Sequence, residues 1–429
     1  MAVPNKGSAR DAGRETAAAG GPSPWLVLAV TTVMQALISG AALTPPVFAT
    51  KAAADIGFDS ALVGFYTSLV YLGAMLATLF AGSVVSTVGA MRVSQICLLL
   101  SGAGLWGLAS GLAVPAVIAA LVIGFGYGPA TPASSHMLAR TTPPERRGLI
   151  FSIKQTGVPL GGVLAGTAVP WLVLSLGWQA AAGVIGAAAV VLAVLVQPLR
   201  PPLDRERQRK AGALFRRSGW AAPLLLVWGR RDLRMMALAS FCFAAVQLSF
   251  SAYLVTYLVD RIGYPLIVAG GIFAAAQVAG SVGRIVWGAL ADHWFGARKM
   301  LTILSIVMTV TASGCAFFSS EWPVFAVSLV ALTFGASAIG WNGVFLAEVA
   351  HLTGPADAAR ATGGALAFTY AGVVCGPSLF GVMISLTGGY VPAFLSSAVV
   401  AALGGLLVLM VRSGKSSGAA GDGHNRKAG

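Results

Sequence analysis

The sequence predicts an all-α membrane protein of twelve transmembrane helices, arranged as two pseudo-symmetric six-helix bundles. Its composition is 57% hydrophobic and only 10% charged, whereas a soluble domain carries about 25% charged residues. The apolar runs are about 20–28 residues long, so each can cross a bilayer core of ~30 Å as a helix. Similar glycine-rich stretches recur in the two halves of the chain. Together these observations indicate an integral membrane protein built from a repeated unit.

Composition also excludes several classes of protein. A net charge of +14 would suggest nucleic-acid binding in a soluble protein, but here the basic residues are confined to particular loops, so we expect no nucleic-acid partner. The four cysteines lie within apolar runs, which argues against a disulfide framework. The sequence shows no Walker P-loop, metal-ligand cluster or nucleophile constellation. We therefore expect no cofactor, no metal and no enzymatic activity.

The apolar runs and the breaks between them define spans and domains. The predicted domains are a disordered cytoplasmic tail (1–23), an N-terminal six-helix bundle (24–199), a cytoplasmic linker loop (200–233), a C-terminal six-helix bundle (234–412) and a second disordered tail (413–429). The predicted spans are residues 24–48, 60–85, 91–112, 114–138, 148–172, 177–199, 234–259, 266–292, 299–319, 323–350, 361–386 and 390–411.

The distribution of basic residues predicts the orientation. An even number of spans puts both termini on the same side of the membrane. That side carries 24 of the 28 Lys and Arg residues, whereas the opposite side carries only Lys51 and Arg261. The positive-inside rule therefore predicts cytoplasmic termini in a multi-pass protein of the cell inner (plasma) membrane. Two cations, Lys154 and Arg284, remain within spans.

The two halves of the chain resemble each other. The stretch Gly157-Val-Pro-Leu-Gly161 in the fifth span matches Gly372-Val-Val-Cys-Gly376 in the eleventh at an offset of 215. In the second span, Gly82 parallels Gly288 of the eighth at an offset of 206. Two halves with parallel repeats suggest a transporter whose site lies near the midplane, between the bundles.

The motif after the eighth span resembles that of the major facilitator superfamily. The family motif G-x-L-A-D-x-x-G-R-K is similar to the stretch from Gly288 through Asp292 to Arg298, with one extra residue before the second glycine. The first copy, after the second span, retains Gly82 but has Ser86 where the family has Asp. The resemblance implies that Gly288, Asp292, Arg298 and Gly82 form gating motifs.

A narrower resemblance concerns the oxalate/formate and monocarboxylate branches of that family. These branches carry an arginine four residues before the first glycine of the motif, as Arg284 precedes Gly288 here. The resemblance implies that Arg284 binds the substrate carboxylate. An arginine costs roughly 2.5–3.5 kcal/mol at the centre of a membrane helix, so it needs a partner or an aqueous cavity. The structural alternative is a pair with a helix C-terminus or with Asp292.

Lys154 is the second candidate for binding an anion. Counted along the spans at 1.5 Å per residue, it lies ~9 Å from the cytoplasmic boundary and Arg284 lies ~12 Å from it. Two buried cations at one depth should repel or lose a proton, and an anion between them would remove that penalty. The alternative is that Lys154 extends to the inner interface.

Neutral polar residues are expected to complete the pocket. In the family that the chain resembles, the first, fourth, seventh and tenth spans line the cavity. Each such side chain alone is more often an interhelical hydrogen-bond partner than a ligand. The candidates from these spans and their neighbours are Gln35, Tyr127, Gln155, Gln247, Tyr253, Tyr257, Asn342 and Tyr370. Glu348, at the inner end of the tenth span, is expected either to anchor the inner gate or to carry a proton, and we favour the gate.

These features predict a secondary active transporter. We expect it to move a small organic anion, a mono- or dicarboxylate, by alternating access through proton symport or anion exchange. A multidrug or metabolite exporter of the same fold is the alternative, and a transporter-like sensor is a second one. The expected partners are the organic anion, the lipid bilayer and, as a candidate co-substrate, protons; we expect a monomer.

Overall fold

The fold is a bundle of long apolar helices. The computed structural model describes residues 22–142, 147–204, 221–353 and 358–411, and no strand occurs within these ranges. Twelve helices there are long and apolar enough to cross a membrane, which confirms the predicted fold class. They are α1 (Pro24–Val47), α2 (Ser60–Val88), α3 (Ala90–Ala109), α4 (Ala113–Thr141), α5 (Ile153–Leu176), α6 (Trp178–Leu203), α7 (Arg231–Asp260), α8 (Leu266–Phe295), α9 (Ala297–Ala316), α10 (Val324–Thr353), α11 (Ala361–Thr387) and α12 (Tyr390–Leu409).

Three spans are interrupted near the middle of the protein. The regular helix of α4 stops at Tyr127 and resumes at Ala130, because Pro129 lacks a backbone N–H. In α5 the interruption falls at Thr156, and in α10 it falls at Trp341. Each interruption leaves the last carbonyl groups of one helical segment without intrahelical donors. These carbonyls are therefore available to side chains from neighbouring helices.

Small residues bring the two bundles together along two helix pairs. In the pair α5–α8, a Cβ built on Gly166 would lie 2.5 Å from the carbonyl oxygen of Gly270. In the pair α2–α11, a Cβ on Gly64 would collide with the carbonyl of Pro377. Glycine allows this close backbone approach between membrane helices. The bundles α1–α6 and α7–α12 thus meet face to face across a central interface.

The two bundles are held together at the end of the protein that carries Ser60 and Asp260, here called the outer end. The carboxylate of Asp260 accepts hydrogen bonds from Thr50 Oγ1 at 2.7 Å and Ser60 Oγ at 2.8 Å. The hydroxyl of Tyr253 accepts from the backbone N–H of Gly64 at 3.0 Å and donates to the carbonyl of Ala61. All of these bonds join the N-terminal bundle to the C-terminal one, so the outer end is closed.

We expect Asp260→Ala to open the outer end, because it removes two hydrogen bonds that join the bundles. The population with a separated outer end should rise about five- to tenfold. Spin labels at Ala54→Cys and Glu321→Cys, which are exposed on opposite bundles, measure this separation. The matched control is Asp55→Ala, because Asp55 accepts from Trp178 within the N-terminal bundle. An unchanged distance distribution in Asp260→Ala would show that this carboxylate does not hold the outer end closed.

At the opposite end of the protein a carboxylate caps a helix. This end is here called the inner end and is marked by Asp204 and Glu348. Asp204 is 8% exposed and accepts from the backbone N–H groups of Met91 at 2.9 Å and Arg92 at 3.1 Å. It therefore satisfies the first turn of α3 from a position just after α6. Gly89 fits beside it with φ of +102°, and a Cβ there would overlap the carboxylate.

Asp204→Ala should destabilise the N-terminal bundle by about 1–2 kcal/mol, because two backbone donors of α3 lose their acceptor. A lower thermal melting temperature of the purified protein in detergent measures this loss. Glu321→Ala is the control, since Glu321 is an exposed acid at the outer end. Equal melting temperatures for the two variants would contradict the capping role.

Candidate functional site

Arg284 is the charged centre of the membrane interior. It is half-buried in α8, and its Nε donates to the carbonyl oxygen of Ile339 at 3.0 Å. Ile339 belongs to the last turn of the first segment of α10, which ends at Gly340. Carbonyls in a last turn lack intrahelical donors and carry the negative end of the helix dipole. The end of a helix segment is thus a partial countercharge for Arg284. The contact through Nε agrees with the structural alternative of a pair with a helix C-terminus.

The two terminal nitrogens of Arg284 have no hydrogen-bond partner among the described residues. The acids considered as partners from the sequence lie elsewhere. Glu348 pairs with Arg298, at 3.1 Å between Oε1 and Nε, and Asp292 makes no ion pair in the part of the chain that is described. The Nε tether therefore holds the guanidinium in place and leaves its two-nitrogen end available to a ligand.

Close packing of α8 on α10 sets the position of Arg284. A Cβ built on Gly283 would lie 2.5 Å from the carbonyl oxygen of Ala336, and one on Gly280 would lie 2.5 Å from Cβ of Ile339. Trp287 Nε1 donates to the same Ala336 carbonyl at 2.7 Å. Because the two backbones are in contact, Nε of Arg284 already lies within hydrogen-bond distance of the Ile339 carbonyl, and the rest of the guanidinium extends beyond it.

The N-terminal bundle presents a tyrosine cluster to this arginine. Tyr127 at the interruption of α4 interacts electrostatically with Arg284. The hydroxyl of Tyr127 lies near those of Tyr71 and Ser39, and the rings of Tyr71 and Tyr127 meet edge to face with centroids 5.4 Å apart. The site is therefore assembled from both bundles, with the cation on one side and phenol groups on the other.

Tyr370 extends the cluster from α11. Its hydroxyl lies near Thr78 of α2, and it interacts electrostatically with Tyr127. Three residues of this cluster, Ser39, Tyr71 and Thr78, were not among the candidates predicted from sequence. The internal repeat contained a signal for one of them, because Thr78 occupies the position in α2 that matches Arg284 in α8 at an offset of 206.

Gln247 and Asn342 form a polar wall beside Arg284. Gln247 Oε1 accepts from Trp341 Nε1 at 3.1 Å and from Asn342 Nδ2 at 3.4 Å. The amide of Asn342 also reaches the carbonyl of Ile339 at 3.5 Å, which is the group that tethers Arg284. The interruption of α10 is therefore bound to α7, and it places two neutral amides next to the guanidinium.

Gln35 belongs to the interior of the N-terminal bundle. It is buried, its Nε2 donates to Ser39 Oγ at 3.3 Å, and its Oε1 accepts from Thr131 Oγ1 at 3.2 Å. Ser39 in turn lies near Tyr127. Gln35 thus packs behind the tyrosine cluster, within the N-terminal bundle, and holds Ser39 and Thr131 by hydrogen bonds.

The structure does not bring Lys154 to Arg284. Lys154 is 0% exposed, and its Nζ donates to Gln155 Oε1 at 3.3 Å. The helical segment Arg147–Gln155 that carries it packs against α1 and the inner segment of α4. Equal depth along two helices does not fix the direction in which their side chains point. Gln155 is exposed, whereas Lys154 is enclosed in its own bundle.

Tyr253 and Tyr257 lie towards the outer end, apart from this cluster. They are six and ten residues beyond Gln247 on α7, or roughly 9 and 15 Å along the helix axis. The hydroxyl of Tyr253 takes part in the outer closure, and that of Tyr257 donates to the carbonyl of Cys315 at 2.7 Å. Both hydroxyls are therefore already occupied by backbone groups.

The motif residues form a separate site at the inner end. Arg298 bridges α9 to its neighbours, since its Nε faces Glu348 at 3.1 Å and its Nη1 donates to the carbonyl of Val411 at 3.2 Å. Asp292, Arg298 and Glu348 line a cavity of about 890 Å³ that is open at this end. A Cβ on Gly82 or on Gly288 would meet no atom within 4 Å. Its ion pair with Arg298 means that Glu348 joins α10 to α9 at the inner end.

Comparison with known proteins identifies the class of protein that this fold and site define. A family model described as Major Facilitator Superfamily matches residues 25–347 and 284–427. The chain belongs to the Major Facilitator Superfamily and is a multi-pass membrane transporter, which confirms the family predicted from sequence. No cluster of His, Cys, Asp or Glu that could hold a metal occurs among the residues described.

Particular relatives are similar over most of the chain. The hexuronate transporter of Bacillus subtilis (strain 168) is 26% identical over 71% of this chain and 76% of its own length. The probable galactarate/D-glucarate transporter of Escherichia coli (strain K12) is 22% identical over 90% of this chain and 92% of its own. Among solved structures, a bacterial homolog of the human lysosomal transporter Spinster, in an inward-facing and occupied conformation, aligns with a TM-score of 0.71 at 15% identity, covering 91% and 97% of the two chains.

Proposed function

We propose that this protein is a secondary active transporter that moves a small organic anion by alternating access, with Arg284 as the residue that binds the carboxylate. The observation that carries the proposal is the guanidinium itself. It lies half-buried inside a membrane span, held by one hydrogen bond from Nε, with its terminal nitrogens unpaired among the residues described.

The energetics of a buried cation support this role. An arginine within a membrane helix is costly, and the last turn of the first segment of α10 offers only a partial negative charge. A carboxylate would supply a full countercharge, and the two terminal nitrogens of Arg284 can bind it bidentately. Tyr127, Tyr370 and Asn342 then supply hydrogen bonds to the neutral part of the ligand. Because the site has groups from both bundles, a bound anion favours their approach.

The relatives support the class of substrate. Two of them are named as transporters of hexuronate and of galactarate and D-glucarate, which are organic acids. The multidrug or metabolite exporter considered as the alternative from the sequence would favour a membrane-embedded acid for binding organic cations. Glu348, the acid inside the inner half of α10, already faces Arg298.

The proposal includes orientation and coupling. The excess of Lys and Arg on one side supports cytoplasmic termini and a cytoplasmic linker loop, in the inner (plasma) membrane of the cell. In this orientation the closed outer end is extracellular. We also propose that the protein acts as a monomer. Proton symport and anion exchange are the two coupling modes that fit a site with one free cation among the described residues.

The experiment is uptake of labelled organic acids into proteoliposomes that contain the purified protein. We expect uptake of at least one sugar acid or aryl carboxylate, driven either by an inward proton gradient or by an unlabelled acid on the opposite side. Protein-free liposomes are the control. Transport of organic cations in the absence of any acid uptake would contradict the proposal.

A further inference from the structure

We infer that the central site accepts a substrate with one ionised carboxylate and discriminates against an acid that carries two. This inference rests on the proposed function, because it takes Arg284 as the carboxylate ligand. It selects the monocarboxylate from the two substrate classes that the sequence left open. The relatives do not decide between them, since a hexuronate has one carboxylate whereas galactarate and D-glucarate have two.

The first step is the number of cations that a ligand can reach. Within the described parts of the spans, Lys154 is 0% exposed and enclosed in the N-terminal bundle. Arg298 faces Glu348 at the inner end, beyond Phe295 where α8 ends, and that end is roughly 16 Å from Arg284 at 1.5 Å per residue. Arg284 is left as the half-buried cation in the middle of the protein, with its terminal nitrogens unpaired.

The second step is the chemistry of the groups around Arg284. The groups that face Arg284 or continue its surroundings are neutral phenols and amides, namely Tyr71, Tyr127, Tyr370, Gln247 and Asn342. Such groups can donate and accept hydrogen bonds to hydroxyl groups or to an aromatic ring. None of them carries a full positive charge, so none can compensate for the hydration that a second carboxylate would lose when the site closes.

The third step is the cost of a charge without a partner. An ionised carboxylate taken out of water is strongly penalised unless another charge and further hydrogen bonds compensate for it. One guanidinium compensates one carboxylate. A second carboxylate, directed towards the tyrosine cluster, would face three phenols instead of a cation. We therefore expect the affinity for a diacid to be lower than for the matched monoacid by about 30-fold or more.

The test uses matched pairs of acids at pH 7, where their carboxylates are ionised. The first pair is D-gluconate and D-glucarate, which differ in one terminal group, and the second is 3-phenylpropionate and 3-(4-carboxyphenyl)propionate. Binding to the purified full-length protein is measured by calorimetry. We expect at least one monoacid to bind and its diacid to bind about 30-fold more weakly. A diacid that binds as tightly as its monoacid, or more tightly, would overturn the inference.

A variant separates failure of this inference from failure of the proposed function. Each acid that binds is tested again with Arg284→Gln. A diacid that binds well and loses its affinity in Arg284→Gln would overturn the single-charge inference and leave the carboxylate role of Arg284 intact. If the acids bind equally well to Arg284→Gln, or if none of the four binds to the wild type, the proposed function fails as well.

A designed second cation provides the converse test. Thr78 is half-buried, occupies the position that matches Arg284 in the internal repeat, and lies near Tyr370. Thr78→Lys should raise the affinity for the diacid relative to its monoacid by about tenfold, because it adds a countercharge on the opposite wall. Thr78→Gln, which adds length without charge, is the matched control. An unchanged or lower ratio in Thr78→Lys, in a protein that melts as the control does, would count against the inference.

Discussion

Arg284→Gln is expected to weaken binding of the transported carboxylate by about 100-fold or more. Removing one member of a buried, hydrogen-bonded charge pair costs roughly 2–5 kcal/mol, and 2.7 kcal/mol corresponds to 100-fold. Glutamine keeps a polar group near the Ile339 carbonyl, so the variant removes the charge with little change in packing. The measurement is equilibrium binding of a labelled acid to the purified protein.

Arg284→Lys is the informative partner of this variant. Lysine restores the positive charge but lacks both the Nε that is tethered to Ile339 and the two-nitrogen end. We therefore expect an affinity between those of the wild type and Arg284→Gln. If both variants bind within about threefold of the wild type, which is below 1 kcal/mol, the guanidinium does not bind the substrate.

The second large effect is expected at Gly283. A Cβ at this position would lie 2.5 Å from the carbonyl of Ala336 and 2.7 Å from Trp287 Nε1, so Gly283→Ala must separate α8 from α10. Such overpacking costs about 1–3 kcal/mol. The separation moves Ile339 away from Arg284, so we expect uptake to fall by at least about tenfold and the melting temperature to fall with it.

The control for this prediction lies on the same helix. A Cβ on Gly271 would meet no atom within 4 Å, so Gly271→Ala should retain uptake and melt at the wild-type temperature or slightly above, because alanine favours the helix. Equal uptake by Gly283→Ala and Gly271→Ala would show that the close contact between α8 and α10 does not set the geometry of Arg284.

Hydropathy was sufficient to predict the membrane spans. The eighth span was predicted as residues 266–292 and is Leu266–Phe295 in the structure, and the tenth was predicted as 323–350 and is Val324–Thr353. A membrane helix needs a long apolar stretch, so its limits follow from composition. The family followed from the residues of the motif, from Gly288 to Arg298. Both are local properties of the sequence.

The contacts that complete the site are not local. Asp204 caps α3 from a residue 113 positions away, and Thr78 meets Tyr370 across the interface between the bundles. A single sequence gives the depth of a side chain in the membrane but not its direction around the helix axis. Lys154 illustrates this limit, because it shares the depth of Arg284 yet is enclosed in its own bundle.

The tyrosines of α7 show a related limit. Their position on a cavity-lining span made Tyr253 and Tyr257 candidates for the pocket, but their hydroxyls bond to Ala61 and Cys315. A buried tyrosine hydroxyl gains from a hydrogen-bond partner, and a neighbouring backbone carbonyl serves as well as a ligand. Sequence indicates the need for a partner without indicating which partner is near.

The central claim is that Arg284 binds the transported anion, and tracer counterflow tests it most directly. Proteoliposomes are loaded with an unlabelled monoacid and diluted into a trace of the labelled acid, so that the measurement needs no ion gradient. The account predicts transient accumulation of label with the wild-type protein and none with Arg284→Gln incorporated at the same level. Equal counterflow by the two proteins would contradict it.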